Sequence, residues 1–145
     1  MKKKVLFVCV HNSARSQMAE ALLNRMCGDL FEAESAGLEP GALNPLAVEV
    51  MREIGIDIGG NETRSVLDVV KSGRSFDYVI TVCDESSAGQ CPLVPGDGVR
   101  LHWNFADPSK FSGTWEERLR QTREVRDAIA SKIEEFCPSS CHAVA

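Results

Sequence analysis

The chain has no long apolar run. The best one near the N-terminus, Val5 to Val10, gives way at once to His11, Asn12, Ser13 and Arg15, too short and too polar for a signal peptide. No other stretch approaches membrane-spanning length, so a cytoplasmic protein with no membrane partner is expected. An excess of positive charge is also missing. Sixteen Lys and Arg against 21 Asp and Glu give a formal net charge of -5, which argues against nucleic acid or an anionic membrane held by bulk electrostatics. Any anion site must therefore be local. There is no Cys-x-x-Cys pair, and His11, His102 and His142 do not fall at zinc-finger spacing, so no structural zinc site is expected. Internal repeats, low-complexity segments and linkers are absent.

What is present fits one compact domain. The 145 residues are 43% hydrophobic, enough to bury a core without staples. The domain is expected over residues 1–137, as a monomer, with 138–145 as a flexible tail beyond the helix-stopping Pro138. Six cysteines, at 9, 27, 83, 91, 137 and 141, are not expected to form a static disulfide framework in a reducing compartment. Redox catalysis and metal binding are the remaining alternatives.

Val5 to Val8 is a short β-branched and aromatic run that predicts a buried strand; Met18, Ala21, Leu22 and Met26 then recur at helical spacing. Phe31 to Ala36 predicts a second strand closed by Gly37. Asn44-Pro45 starts a helix carrying Val48, Met51 and Ile54, ended by Gly55. Val66 to Val70 predicts a short helix, and Tyr78 to Val82 and Val99 to Trp103 two further strands. Thr114-Trp115-Glu116-Glu117 has capping-box spacing ahead of Leu119, Val125, Ile129 and Ile133 on a long amphipathic helix reaching about Phe136. Strands alternating with helices imply right-handed crossovers. The expected fold is α/β, a four-stranded parallel sheet flanked by helices on both faces, with ligands bound beyond the carboxyl ends of the strands. Cys9 and Cys83 each sit at such an end.

Cys9-Val10-His11-Asn12-Ser13-Ala14-Arg15-Ser16 places a thiol at a strand end, then five residues, then an arginine opening a helix. Backbone N–H groups in such a loop converge on a tetrahedral oxyanion, and the Arg15 guanidinium adds a planar clamp. The same positive field favours the thiolate of Cys9, the nucleophilic form, and Ser16 could donate a hydrogen bond to it. The plainer alternative is a buried strand-end cysteine and an ordinary helix-start arginine. The position of the motif, after a hydrophobic strand and before a helix, favours the anion-binding nucleophile.

Cys-x5-Arg-Ser near the N-terminus, Gln17-Met18-Ala19-Glu20, Ser35-Ala36-Gly37 and Asp107-Pro108 resemble the low-molecular-weight protein tyrosine phosphatase superfamily. Asn12-Ser13, Asn44-Pro45, Cys91-Pro92 and His102-Trp103-x-Phe105-x-Asp107-Pro108 resemble more closely its thioredoxin-coupled arsenate reductases, over about residues 4 to 136. The resemblance implies the phosphatase-like fold, a substrate-binding loop from Val10 to Ser16, and Asp107 as general acid. A phosphatase needs only Cys9, Arg15 and Asp107. Reducing arsenate takes two electrons, which a thiol pair supplies on becoming a disulfide. Cys83 and Cys91, flanking a polar loop, match the two further cysteines of the reductases, so a cascade from Cys9 to Cys83 to Cys91 is implied. Thioredoxin or glutaredoxin would be the external reductant, with no bound cofactor and with phosphate or sulfate as competing anions. Ser109-Lys110 replace the paired tyrosines that follow the aspartate in many of the phosphatases, which favours a small inorganic substrate. The alternatives are a tyrosine phosphatase and, in a different class, a non-enzymatic anion-binding domain.

Other residues carry plainer readings. Cys27 is expected as a packed core thiol. Cys137 and Cys141 are open to a relay role, adventitious metal or no role. His102 is expected to pack with Trp103. The resemblance implies that Asn12 braces the loop and that Ser35 joins it. Some of the reductases hold potassium nearby, and Arg64 argues against that here. Arg118, Arg120, Arg123 and Arg126 are expected on a solvated helix face, and Arg74 or Lys110 could steer an anion.

Overall fold

Parity along the first strand decides how the molecule is layered. In the computed structural model, which describes residues 2–82 and 98–137, β1 (Lys3–Cys9) is an inner strand of a four-stranded sheet of order β2-β1-β3-β4. Val5, Phe7 and Cys9 join the larger core cluster, while Leu6 and Val8 join a separate one, because side chains two apart share a sheet face. A strand buried on both faces reads as a continuous apolar run. β2 (Phe31–Gly37) and β3 (Tyr78–Thr81) flank β1, and β4 (Val99–His102) closes the far edge, with every pairing parallel.

Helices α1 (Arg15–Cys27), α2 (Pro45–Arg52) and α4 (Trp115–Phe136) supply Leu22, Val50 and Ile129, among others, to the larger cluster. On the other face α3 (Val66–Lys71) lays Val66 and Val69 against Leu6 and Val8. The single domain with helices on both faces of a parallel sheet is thus the fold that forms. No helix among the described residues is long and apolar enough to cross a membrane.

Local chemistry sets the element ends. Asn44 caps α2 through its side chain with Pro45 in the first turn, and Thr114 with Glu117 forms the expected capping box of α4. The strands β3 and β4 each stop one residue short of expectation, yet the pairing continues. Val82 donates its N–H to the Val8 carbonyl at 2.9 Å and Trp103 to that of Thr81 at 2.8 Å. The basic face of α4 is not simply solvated. Arg126 is largely covered and donates to the Val50 carbonyl at 2.8 Å, and with Arg123 it grips Glu53, tying α4 to the end of α2.

Two cysteine expectations are overturned, that Cys27 is a free core thiol and that the cysteines form no static disulfide. Cys27, the last residue of α1, and Cys137, directly after α4, form a buried disulfide. Both helices pack on one sheet face, so their ends meet. Residues 138–145, assigned to a tail, lie outside the described residues. The bridge spans a sequence separation of 110, and closing so long a loop removes about 4–5 kcal/mol of unfolded-chain entropy. Cys27→Ala should lower stability toward urea by up to about 4 kcal/mol. Equilibrium unfolding with and without dithiothreitol checks this: the reductant should bring the parent down to the variant and leave the variant unmoved.

Candidate active site

The chain leaves β1 toward β2 on one side and returns to β3 on the other. This reversal opens a crevice beyond the carboxyl ends of β1 and β3, where open α/β sheets bind ligands. Cys9 is the last residue of β1 and Arg15 the first of α1, so the loop between them lies at that crevice. β3 brings the chain to the same end at Val82, bonded to Val8. Cys83 and Cys91 lie outside the described residues.

The loop's peptide groups are oriented by what takes their carbonyls. Those of Cys9, Val10, His11 and Ser13 accept from the amides of Leu38, Glu39, Gly41 and Asn44 at 2.8 to 3.2 Å. In a trans peptide the N–H of the next residue points the opposite way. The amides of Val10, His11, Asn12 and Ala14 therefore face away from the 38–44 segment, toward the sulfur side of the loop. Asn12 shows this directly, its N–H donating to Cys9 Sγ at 3.1 Å. Gly37 allows the approach: a Cβ there would lie 2.7 Å from the Asn12 nitrogen and 2.8 Å from the His11 carbonyl carbon.

Asn12 is the one described non-glycine residue with positive φ, at 55°, a conformation asparagine tolerates better than most. The Ser16 hydroxyl lies 2.9 Å from Cys9 Sγ and receives the Asn12 Nδ2 at 2.8 Å. Arg15 is 4% exposed; it donates to the Phe105 carbonyl at 3.2 Å and pairs with Asp107 at 3.3 Å. The other Asp107 oxygen accepts from the Ser109 amide and hydroxyl. Asn44, Ser65 and Thr114 cap their helices with side-chain oxygens, whereas Ala14, ahead of α1, has none to offer. An oxyanion in the loop would take that part.

The sequence profile of the low molecular weight phosphotyrosine protein phosphatase family matches residues 4–143. The chain belongs to this family. It is 43% identical over 135 residues to a protein from Shouchella clausii named arsenate reductase, covering 93% of this chain and 95% of that one. A solved arsenate reductase in a phosphate-binding state is 29% identical with a TM-score of 0.73, covering 94% of this chain and 96% of that one. A Corynebacterium glutamicum thioredoxin-dependent arsenate reductase is 30% identical with a TM-score of 0.66, covering 99% of this chain and 63% of its own.

Within this phosphatase-family scaffold the fold brings together Cys9, the 10–16 loop and Asp107, residues up to 98 positions apart in the sequence between Cys9 and Asp107. His11 is exposed and its ring bonds the Glu39 carbonyl at 3.0 Å. His102 is exposed and bonds Thr81 Oγ1, rather than packing with Trp103, whose ring meets Phe7 and Phe136. Arg64 and Arg74 both pair with Glu34, which draws Arg74 away from the anion-steering role considered for it. Among the described residues no group of three or more His, Cys, Asp or Glu is placed to hold a metal ion. Sequence reading had no means of finding the Phe105 carbonyl or the Arg64 main chain, whose N–H reaches Asn12 Oδ1 at 2.8 Å.

Below the loop, Glu20 accepts from Ser35 Oγ at 2.8 Å. Burial holds its carboxyl above the ordinary carboxylate range, against the opposing pull of the Ser35 bond and of Arg64. A raised carboxyl favours folding below its unfolded value and loses that advantage as pH rises through the folded one. Glu20→Gln, which keeps an acceptor for Ser35, should match the parent in acid and become the more stable protein toward neutral pH; melting temperatures across pH 4 to 8 check this. Gly37→Ala should drive the new methyl into the Asn12 peptide, at a cost of about 1–3 kcal/mol. Calorimetry should find phosphate binding weakened at least as strongly as stability.

Proposed function

We propose that this chain reduces arsenate to arsenite with Cys9 as the nucleophile. The observation that carries the reading is the Cys9–Arg15 anion loop, set against Asp107, in a chain 43% identical to a named arsenate reductase along nearly its whole length. Cys83 and Cys91 follow β3 in the sequence and supply the thiols that a phosphatase does not need.

Arsenate, like phosphate or sulfate, is a tetrahedral oxyanion suited to the loop amides from Val10 to Ser16 and the Arg15 guanidinium. Cys9 Sγ attacks arsenic, Asp107 gives its proton to the departing oxygen, and water leaves. Cys83 then attacks Cys9 Sγ. The electron pair of the sulfur–arsenic bond stays on arsenic, so As(V) becomes As(III), arsenite departs, and a Cys9–Cys83 disulfide remains. Cys91 displaces Cys9 from Cys83, restoring the nucleophile and leaving a Cys83–Cys91 disulfide. An external dithiol protein, thioredoxin or glutaredoxin, reduces that bridge, in keeping with the thioredoxin-dependent relative. The scheme requires no bound cofactor and suits a monomeric cytoplasmic enzyme.

Arsenate-dependent NADPH consumption, with thioredoxin and thioredoxin reductase or with glutaredoxin and its recycling system, tests the proposal beside para-nitrophenyl phosphate hydrolysis. Consumption should fall at least about a hundredfold in Cys9→Ser, Cys83→Ser and Cys91→Ser, the scale expected when a nucleophile or an obligatory partner is lost. Brisk hydrolysis needing only Cys9, with no arsenate reduction by either dithiol, would identify a phosphatase instead.

A further inference from the structure

Gln17 is 2% exposed and lies in the first turn of α1, one residue beyond Ser16. The proposed reaction makes no use of it. Its Nε2 donates to the Glu62 carbonyl at 3.1 Å and to Asn12 Oδ1 at 3.2 Å, and its Oε1 accepts from Asn61 Nδ2 at 3.2 Å.

These partners leave no freedom in how the amides point. The Glu62 carbonyl can only accept, so the nitrogen of Gln17 must face it, and that nitrogen then presents a hydrogen to Asn12. The Arg64 amide can only donate and also meets Asn12 Oδ1, at 2.8 Å. With its oxygen held by both donors, Asn12 turns Nδ2 onto Ser16 Oγ at 2.8 Å. Ser16 Oγ is then an acceptor toward Asn12, and its own hydrogen is directed at Cys9 Sγ, 2.9 Å away. The sulfur receives that O–H together with the Asn12 N–H.

We infer that Gln17 is a positioning residue that, together with the Arg64 amide, fixes the donor direction of the Gln17–Asn12–Ser16–Cys9 chain, so that Ser16 donates to the sulfur and stabilises its thiolate. The inference rests on Cys9 being the nucleophile, but the state of the sulfur is readable without arsenate. Gln17→Glu keeps the shape and replaces the donor by an acceptor. The introduced carboxylate faces Asn12 Oδ1, and Asn12 turns its amide over to donate to the new charge, giving up the Arg64 N–H bond. Its oxygen then takes the Ser16 hydrogen, and lone pairs face the sulfur. Gln17→Met removes the donor without reversing it, and the Arg64 amide keeps Asn12 in place.

The test is the pH profile of iodoacetamide alkylation at Cys9, read by mass spectrometry of the Cys9 peptide in the full chain, with melting temperatures alongside. Gln17→Glu should move the midpoint upward by about one pH unit, an alkylation rate about tenfold lower on the rising limb; Gln17→Met should change it less than about twofold. A new negative charge alone would act through space and add to any other change. The Gln17→Glu effect must therefore shrink to that through-space part in a Ser16→Ala background, where the chain is cut. A profile unmoved by Gln17→Glu, or an effect undiminished in Ser16→Ala, overturns the inference. Should Gln17→Glu not fold, Asn12→Asp keeps the acceptor for Gln17 and Arg64 and removes only the donor to Ser16. It must give the same Ser16-dependent shift, and no shift overturns the inference. Failure of the nucleophile reading looks different, because Cys9 of the parent would then alkylate no faster than an ordinary thiol at neutral pH.

Discussion

The site depends on the orientation of a few peptide groups. Left alone, a loop between a strand and a helix would turn its carbonyls and amides toward water at random. Here the 38–44 segment takes the carbonyls of Cys9, Val10, His11 and Ser13, and planarity sends the amides the other way. Gly37 makes that docking sterically possible, and Asn12 accepts the left-handed conformation the bend demands. Backbone geometry alone turns the loop amides to one side, and Arg15 is the one Lys or Arg within the loop.

Holding that arrangement falls to α1, which serves two ends at once. Its first turn supplies Arg15, Ser16 and Gln17 to the site, while Met18, Ala19, Leu22 and Leu23 anchor it in the core. A displacement of the helix would move the guanidinium and the hydroxyl together. At its other end the Cys27–Cys137 bridge joins it to the last helix. α1 has 13 residues, about 1.5 Å apart along the axis, so the bridge stands roughly 20 Å from the start of the helix. It is therefore a tie between elements, distinct from the proposed cascade of Cys9, Cys83 and Cys91.

Much of this was legible residue by residue. Val5 to Val8 reads as a strand because it is buried on both faces, Asn44-Pro45 and Thr114 with Glu117 announce helix starts through capping chemistry, and Cys-x5-Arg marks where β1 ends and α1 opens. The readings that failed concern partners distant in sequence. Cys27 reads as a core thiol until α4 returns its partner beside it. Arg126 reads as solvated until Glu53 and the Val50 carbonyl meet it. His102 reads as an aromatic neighbour of Trp103 until the strand's alternation sends the two rings apart.

The sequence by itself determined the order of strands and helices, the cysteine that ends β1, the arginine that opens α1 and the membership of a family, because periodicity, capping and motif spacing are local properties of the chain. Only the tertiary structure decided which carbonyls hold the loop, that Asp107 faces Arg15, that Gln17 reaches Asn12 and Glu62, and that Cys27 meets Cys137. Apart from the Gln17–Asn12 bond, those are encounters between segments tens of residues apart. Their existence depends on the direction in which each element crosses the sheet, which no local pattern encodes.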